Sequence, residues 1–390
     1  MFLVKLDLTR RGFGMALRQT YTVEHVDLQE PIWWDSFNDE NGTVFSSSAW
    51  LAALERTSPQ RAQPFHFRVV NSDGQTVALC PLFLIEQCPR FDAFIQQFRP
   101  SKEWNPYPIL VSQGLYSFAG GPISVTNSRN LWIVLIEHVE NIAKEVGARV
   151  WGMTNVPLPI IGPHRDFLVE RGYDVGYLSS DMQLDIAAFE TFSDYRNTLS
   201  RHMRRNINYF DNKRLRQDIR LHWTEDPGST VTTLNLLLRQ TTGKHQHGSD
   251  LYPMEFLMDI IDRMGPSLAC LVVSREDTVL GILLAFFSTR TVIPWAIGLD
   301  YSLLKTYNTY HVALLETIRE SIVRGAQTVQ FGRGSYIVKQ RYGARPVPLF
   351  MALGGIEADR LMRQEWFANL SSSKVQGIVA QLGSIPDLPQ

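Results

Sequence analysis

The sequence predicts an α/β fold built twice over, each copy a mainly antiparallel sheet flanked by helices. A hairpin pattern occurs in both halves. Val69-Val70-Asn71-Ser72-Asp73-Gly74 leads into Val77-Ala78-Leu79, and Val272-Val273-Ser274-Arg275-Glu276-Asp277 leads into Val279-Leu280-Gly281. Polar turn residues between β-branched runs are a hairpin signal. A helix-to-strand pattern follows each hairpin. Leu131, Leu135, Val139, Ile142 and Val146 keep helical spacing up to Gly147-Ala148, before Arg149-Val150-Trp151-Gly152. Val312, Leu315, Ile318 and Ile322 do so up to Gly325-Ala326, before Val329-Gln330-Phe331-Gly332. A glycine after the last periodic residue is a helix stop. The length, 390 residues, is too great for one ordinary core and suits about two domains. The expected organisation is an N-terminal extension (1–29), a first unit (30–185), a second unit (186–353) and a C-terminal helix and tail (354–390).

Taken in order, the extension contains Arg10-Arg11-Gly12-Phe13, which resembles a twin-arginine export signal. The apolar stretch behind it stops at Leu17, before Arg18 and Gln19, so the hydrophobic region of a signal is missing. The first unit carries an insert at about 87–116, rich in Phe91, Phe94, Phe98, Trp104 and Tyr107 and in proline. Two readings fit it: a flap packed on its own domain, or one wall of an acceptor pocket. Phe192 to Arg220 reads as one long helix, with Phe192, Tyr195, Leu199, Met203, Ile207 and Phe210 on one face. The other face is rich in cations, among them Arg201, Arg204 and Arg205. Such a face is either solvated or a phosphate contact.

A helix at Val231–Arg239 and another at Pro253–Met264 flank the polar loop Gly243-Lys244-His245-Gln246-His247-Gly248. Its two histidines lack a third ligand at a metal spacing, so the loop suits substrate contact and no metal is expected. His311, beside Tyr310 at a helix start, reads as a satisfied structural histidine. A short strand, Ala326 to Phe331, then ends in Gly332-Arg333-Gly334. From Arg324 to Arg345 there are five cations and no carboxylate. Glycines at a strand end let a ligand approach the backbone, and cations there suit phosphate or an oxyanion. The alternative is a strand running into a solvated basic loop. The segment from Glu365 to Gln390 reads as a fraying tail.

Composition narrows the function. Apolar residues at 44 % and charged residues at 20 % describe a globular chain. A net charge of −1 leaves no global basic field, so any polyanion must meet a local patch. Three scattered cysteines suit reduced thiols in a cytoplasm. No run reaches the roughly 18 apolar residues of a membrane span. The sequence has no GxxxxGK[ST], HExxH, GxGxxG or GxSxG motif, which removes the usual signals of several enzyme classes.

The stretches YRNTLSRHMRRNINY and IGLDYSLLKTYNTYHVALLETIRESIVRGAQTVQFGRGSYIVKQRYGA, set in a duplicated α/β chain, resemble the FemABX-like branch of the GNAT acyltransferase superfamily. That resemblance implies tandem GNAT-like domains and amide-bond formation. The best-known members pass an amino acid from aminoacyl-tRNA to a peptidoglycan-precursor amine, while relatives use other acyl donors or make small natural products. Phe331-Gly332-Arg333 resembles the family's strand-end FGR. Lys339 resembles the lysine of its FK-x-x-G segment, with Val338 in place of the aromatic. The glycine-bearing pyrophosphate loop of acetyl-CoA-using members is absent after Leu299.

By position the resemblance implies Lys339 and Arg333 as catalytic residues, with Lys339 stabilising developing negative charge, and His245 of the polar loop is taken as a third. Lys244, Trp295, Tyr310, Tyr336 and Arg341 would bind substrate, Trp295 as an apolar wall, and Arg201, Arg204 and Arg205 would hold the donor phosphates. For the base that deprotonates the amine, His245 and Asp300 are both candidates. No tightly bound cofactor is expected. The co-substrate is aminoacyl-tRNA or an acyl thioester on coenzyme A or a carrier protein, and the acceptor is a small-molecule or peptide amine. A GNAT-like module that only binds is the third reading.

Overall fold

The computed structural model describes residues 4–5, 21–28, 32–57, 62–112, 116–244 and 252–385. The Arg10-Arg11 motif, His245 and His247 lie outside these. The chain divides into two compact units: unit 1 holds Met1–Ser179 and Pro348–Ala380, and unit 2 holds Ser180–Val347.

The two units share one strand order. In unit 1, Thr22–His25 pairs with Phe67–Val70, which pairs with Thr76–Cys80. That third strand pauses at Pro81-Leu82 and resumes as Phe83–Ile85. Its antiparallel neighbour is likewise in two pieces, Ile109–Val111 and Ile123–Ser124. Val150–Pro157 then lies parallel to Ile109–Val111, and residues 349–355 lie antiparallel to Val150–Pro157.

Unit 2 begins with the second half of strand β1 (Asp174–Asp185), then helices α1 (Phe192–Thr198) and α2 (Arg201–Arg216) and strand β2 (Ile219–Thr224). Helices α3 (Val231–Lys244) and α4 (Met254–Met264) precede strands β3 (Leu268–Arg275), β4 (Thr278–Phe287) and β5 (Thr291–Leu299). Helices α5 (Leu304–Tyr307) and α6 (Thr309–Val323), strand β6 (Thr328–Gln330) and helix α7 (Tyr336–Arg341) complete it. The order is β2-β3-β4-β5-β6-β1, antiparallel throughout except for the parallel pair β5–β6.

Both copies thus place three antiparallel neighbours, one parallel crossover through a long helix, and a last antiparallel strand. The crossover helices, Arg129–Glu145 and α6, end alike. Gly147 and Gly325 adopt φ of 68° and 71°. The residue after each donates to the carbonyl five positions back, Ala148 to Ala143 and Ala326 to Ser321. That is the Schellman stop, which needs a left-handed residue and so favours glycine.

Residues 348–380 pack with unit 1, where sequence order had put them in the second unit and a separate tail. Besides the strand pairing, Arg149 meets Asp359 at 2.7 Å and Arg363, 2 % exposed, meets Asp174 at 2.7 Å. The segment read as fraying from Glu365 forms part of a helix, Arg360–Leu382. The insert packs on that helix: Phe91 and Trp104 lie 5.5 and 5.7 Å from Trp366, and Ser101 donates to Glu365 at 2.9 Å. With Glu365 it lines a broad cleft of about 1470 Å³, containing Glu86, Asp92, Arg99 and Glu103.

The single helix expected over 192–220 is two helices. Thr191 and Asp194 close a capping box on α1, Leu199 is extended at φ −77° and ψ 160°, and Ser200 Oγ caps the Met203 N–H at 3.3 Å. The apolar face continues across the break, because Tyr195, Leu199, Met203 and Ile207 all join one core with α6. Among the described residues no helix is long and apolar enough to cross a membrane.

Candidate functional site

The end of β6 is where unit 2 departs from regular structure. Pairing with β1 runs past the strand, as Phe331 N–H donates to Met182 O at 2.8 Å and Met182 N–H to Gly332 O at 3.1 Å. The chain then takes left-handed conformations at Gly332 (φ 70°), Gly334 (φ 73°) and Ser335 (φ 49°). The glycines adopt them freely, whereas Ser335 carries strain. Instead of the solvated basic loop that the charge run allowed, the next residues form α7, which turns Lys339 inward.

Lys339 is 4 % exposed. Its ammonium donates to the carbonyls of Phe331, Gly332 and Arg333 at 2.8, 3.1 and 2.9 Å. An ammonium has three donors. All three are spent, so in this arrangement Lys339 has none to aim at an oxyanion, the role its resemblance implied. It gathers the turn instead. Nearby, Asp181 on β1 is fully buried, and Gln183 Nε2 and Gln330 Nε2 donate to its Oδ2 at 2.8 and 2.6 Å. Burial raises the Asp181 carboxyl, opposed by the two amides and by the charges of Lys339 and Arg333. Burial pulls Lys339 down to about 7, opposed by Asp181. Perturbed groups of opposite sign around a strained turn are a candidate site with a physical rationale.

A chain of contacts links this turn to the end of α3. Tyr310 hydrogen-bonds Ser335. Tyr301, a neighbour of Tyr310, hydrogen-bonds Thr241. Lys244 Nζ stands 4.2 Å above the Tyr301 ring. Lys244, Tyr310 and the glycine turn therefore share one region, while His245 lies outside the described residues. Tyr336 packs against the core. Trp295, expected as an apolar wall of the substrate pocket, is a core residue: it is 5 % exposed and meets Tyr252, Phe256 and Phe286 at 5.5–6.2 Å. His311 stacks on Phe210 at 4.6 Å and bonds the Tyr342 hydroxyl at 2.8 Å; burial and Arg341 lower its pKa.

Arg341 parts company with Lys339. Two positions apart on a helix is about 200° around it, and Arg341 is exposed. It lines a separate cleft of about 430 Å³ with Leu199, Ser200, His202, Met203 and Gln340. Of the three arginines assigned to donor phosphate, Arg201 and Arg205 are exposed on α2. Arg204 points back and donates to the carbonyls of Asn197 and Leu199, closing the end of α1. Two acids of this helix region are engaged, Asp211 with Arg319 at 2.7 Å and Asp218 with Arg220 at 3.2 Å.

Asp181, Gln183 and Gln330 escaped the sequence reading. Their signal was faint, because β1 also carries Asp174, Ser179, Ser180 and Asp185 and nothing in the sequence singles out Asp181 among them; only its burial, which demands a partner, does so. Among the described residues no group of three His, Cys, Asp or Glu is placed to hold a metal.

Residues 201–342 match the family model of the Acetyltransferase (GNAT) domain. That stretch lies within unit 2, and in fold the whole two-unit chain is similar to FemX and to a tandem GNAT protein. The structure of FemX is similar over 88 % of this chain and 99 % of its own, with a TM-score of 0.64 at 12 % identity. L-PGS from Bacillus licheniformis is similar over 87 % and 97 % (TM-score 0.52, 13 % identity). The tandem GNAT protein from the clavulanic acid biosynthesis pathway is similar over 86 % and 98 % (TM-score 0.52, 10 % identity). No sequence among curated proteins matches this one. At these identities the likeness is one of fold, and it is the family model that marks the GNAT domain as an acyltransferase domain.

Proposed function

We propose that unit 2 forms an amide bond, passing an aminoacyl group from aminoacyl-tRNA to the amine of a small-molecule or peptide acceptor. The observation that carries the donor is the start of α2. Arg201 and Arg205 stand exposed there, and the neighbouring cleft is lined by Ser200, His202 and Arg341. This cationic edge suits a sugar–phosphate chain, which is held by backbone contacts of this kind. The connection from β5 to α6, Asp300 to Asn308, contains no glycine, which disfavours a pyrophosphate cradled by loop amides.

In the reaction the acceptor nitrogen attacks the donor's ester carbonyl. The C–N bond forms, the C–O bond to the ribose breaks, and the ribose oxygen leaves with the proton that the amine gives up. Much of the rate in such a transfer comes from holding the two reactants in line. On this reading Arg201, Arg205 and Arg341 hold the donor, and the Gly332–Ser335 turn shapes the place where the carbonyl sits. Lys339 keeps that turn in form.

The test offers hydroxylamine as a general amine to the protein with panels of aminoacyl-tRNAs, acyl-coenzyme A thioesters and acylated carrier proteins. Hydroxamate formed from an aminoacyl-tRNA above the protein-free rate supports the reading. Hydroxamate from a thioester alone moves the donor to coenzyme A or a carrier protein. None from any donor makes the chain a binding module.

A further inference from the structure

We propose that Asp181 is a positioning residue of the acyl-transfer site: it acts through Lys339, keeping that side chain an ammonium so that the 331–335 turn stays gathered. The inference rests on the reading of this turn as the place of transfer. It begins with valence. A protonated lysine has three N–H donors and no acceptor, and it faces three carbonyls here, those of Phe331, Gly332 and Arg333. A neutral amine has two donors and a lone pair. It would satisfy two carbonyls and set its lone pair against the third, so the turn as built requires the charge.

Burial opposes that charge. Something must hold the proton on, and Asp181 is the anion that acts on Lys339. Asp181 is itself fully buried, so its field is not screened by water. One of its oxygens takes both amide donors, from Gln183 on β1 and Gln330 on β6, and Oδ1 has no hydrogen-bond partner among the described residues. Those amides fix where the carboxylate sits and favour its ionised form. The charged groups that act on Asp181 are Lys339 from α7 and Arg333 from the turn. A carboxylate meant only to pin two strands would be replaceable by an amide. One meant to keep a lysine charged would not be.

The experiment follows the Lys339 side chain by NMR in the full chain labelled at lysine Cε. It is one of eight lysines, and its signal is assigned by its loss in Lys339→Met. The wild type should titrate far below the ordinary lysine range. Asp181→Asn should lower that midpoint further, by about one pH unit or more, and Asp181→Glu should hold it near the wild-type value. With saturating donor, the alkaline fall in turnover should move to lower pH in step. An unchanged midpoint in Asp181→Asn overturns the proposal, as does a wild-type Lys339 that titrates with the other lysines. A moved midpoint with an unmoved turnover profile also overturns the positioning role, and it leaves the donor chemistry to the hydroxamate test. If Asp181→Asn does not fold, Asp181→Ser, smaller and equally neutral, takes its place with the same expected direction.

Discussion

Replacing Lys339 with methionine should weaken the fold as well as the reaction. The side chain becomes one atom shorter, keeps most of its buried volume and loses all three donors. Gly332 O retains the Met182 N–H, so the loss falls on Phe331 O and Arg333 O. A buried acceptor stripped of its partner costs about 1–3 kcal/mol, in full for Phe331 O and less for Arg333 O, which is only part-buried. Relief from burying an ammonium works in the other direction. Asp181, left without its cation, adds to the cost. The expected loss is therefore about 3 kcal/mol. Urea unfolding of wild type and Lys339→Met at pH 7, with the slopes compared, measures it. A loss below about 0.5 kcal/mol, the range of an ordinary surface substitution, would mean that the ammonium does not hold the turn. If that small loss came with a 10²–10³ fall in turnover, the lysine would be an oxyanion contact after all.

The pH dependence has a definite sign. Lys339 titrates at about 7 when folded and in the ordinary lysine range when unfolded, so between these values the unfolded chain binds more protons and stability should rise with pH. Lys339→Met should lose that rise in urea midpoints taken from pH 7 to 10. The arginines should separate: Arg204→Ala should cost about 1 kcal/mol of stability by uncapping α1. Arg205→Ala should leave stability within about 0.5 kcal/mol and weaken donor binding with a shallower salt dependence; equal unfolding midpoints for the two variants would remove the distinction. Trp295→Ala should destabilise by about 3–5 kcal/mol as a core deletion, and its acceptor KM, measured below the melting range, should not change selectively.

The duplicated fold was legible because its signals are local. Asn71 to Gly74 and Glu276-Asp277 are turn residues wherever they stand, and Gly147 and Gly325 stop helices by a mechanism that needs only their neighbours. Which sheet a strand joins is not local. Nothing within residues 348–355 says that they pair with Val150–Pro157 across the length of unit 2. The break at Ser200 was readable, since a serine ahead of a basic amphipathic run is an N-cap signal, but the uninterrupted apolar spacing masked it. The site was legible in place but less so in role. Gly332-Arg333-Gly334 marked the turn, yet a run of five cations cannot say which one faces inward. That follows from α7, whose turn puts Lys339 and Arg341 on different sides. Trp295 and Arg204 have the residue types of binding groups and the surroundings of structural ones.

The account turns on unit 2 taking its acyl group from tRNA. The direct measurement is transfer of a labelled amino acid from a single aminoacyl-tRNA to hydroxylamine, run with wild type and with Arg201→Glu/Arg205→Glu at several salt concentrations. If tRNA is the donor, wild type should give labelled hydroxamate well above the protein-free rate, falling with salt, and the double variant should lose most of it at equal fold stability. Labelled hydroxamate that matches the protein-free rate, while an acyl thioester is consumed at a rate indifferent to both arginines, would contradict it.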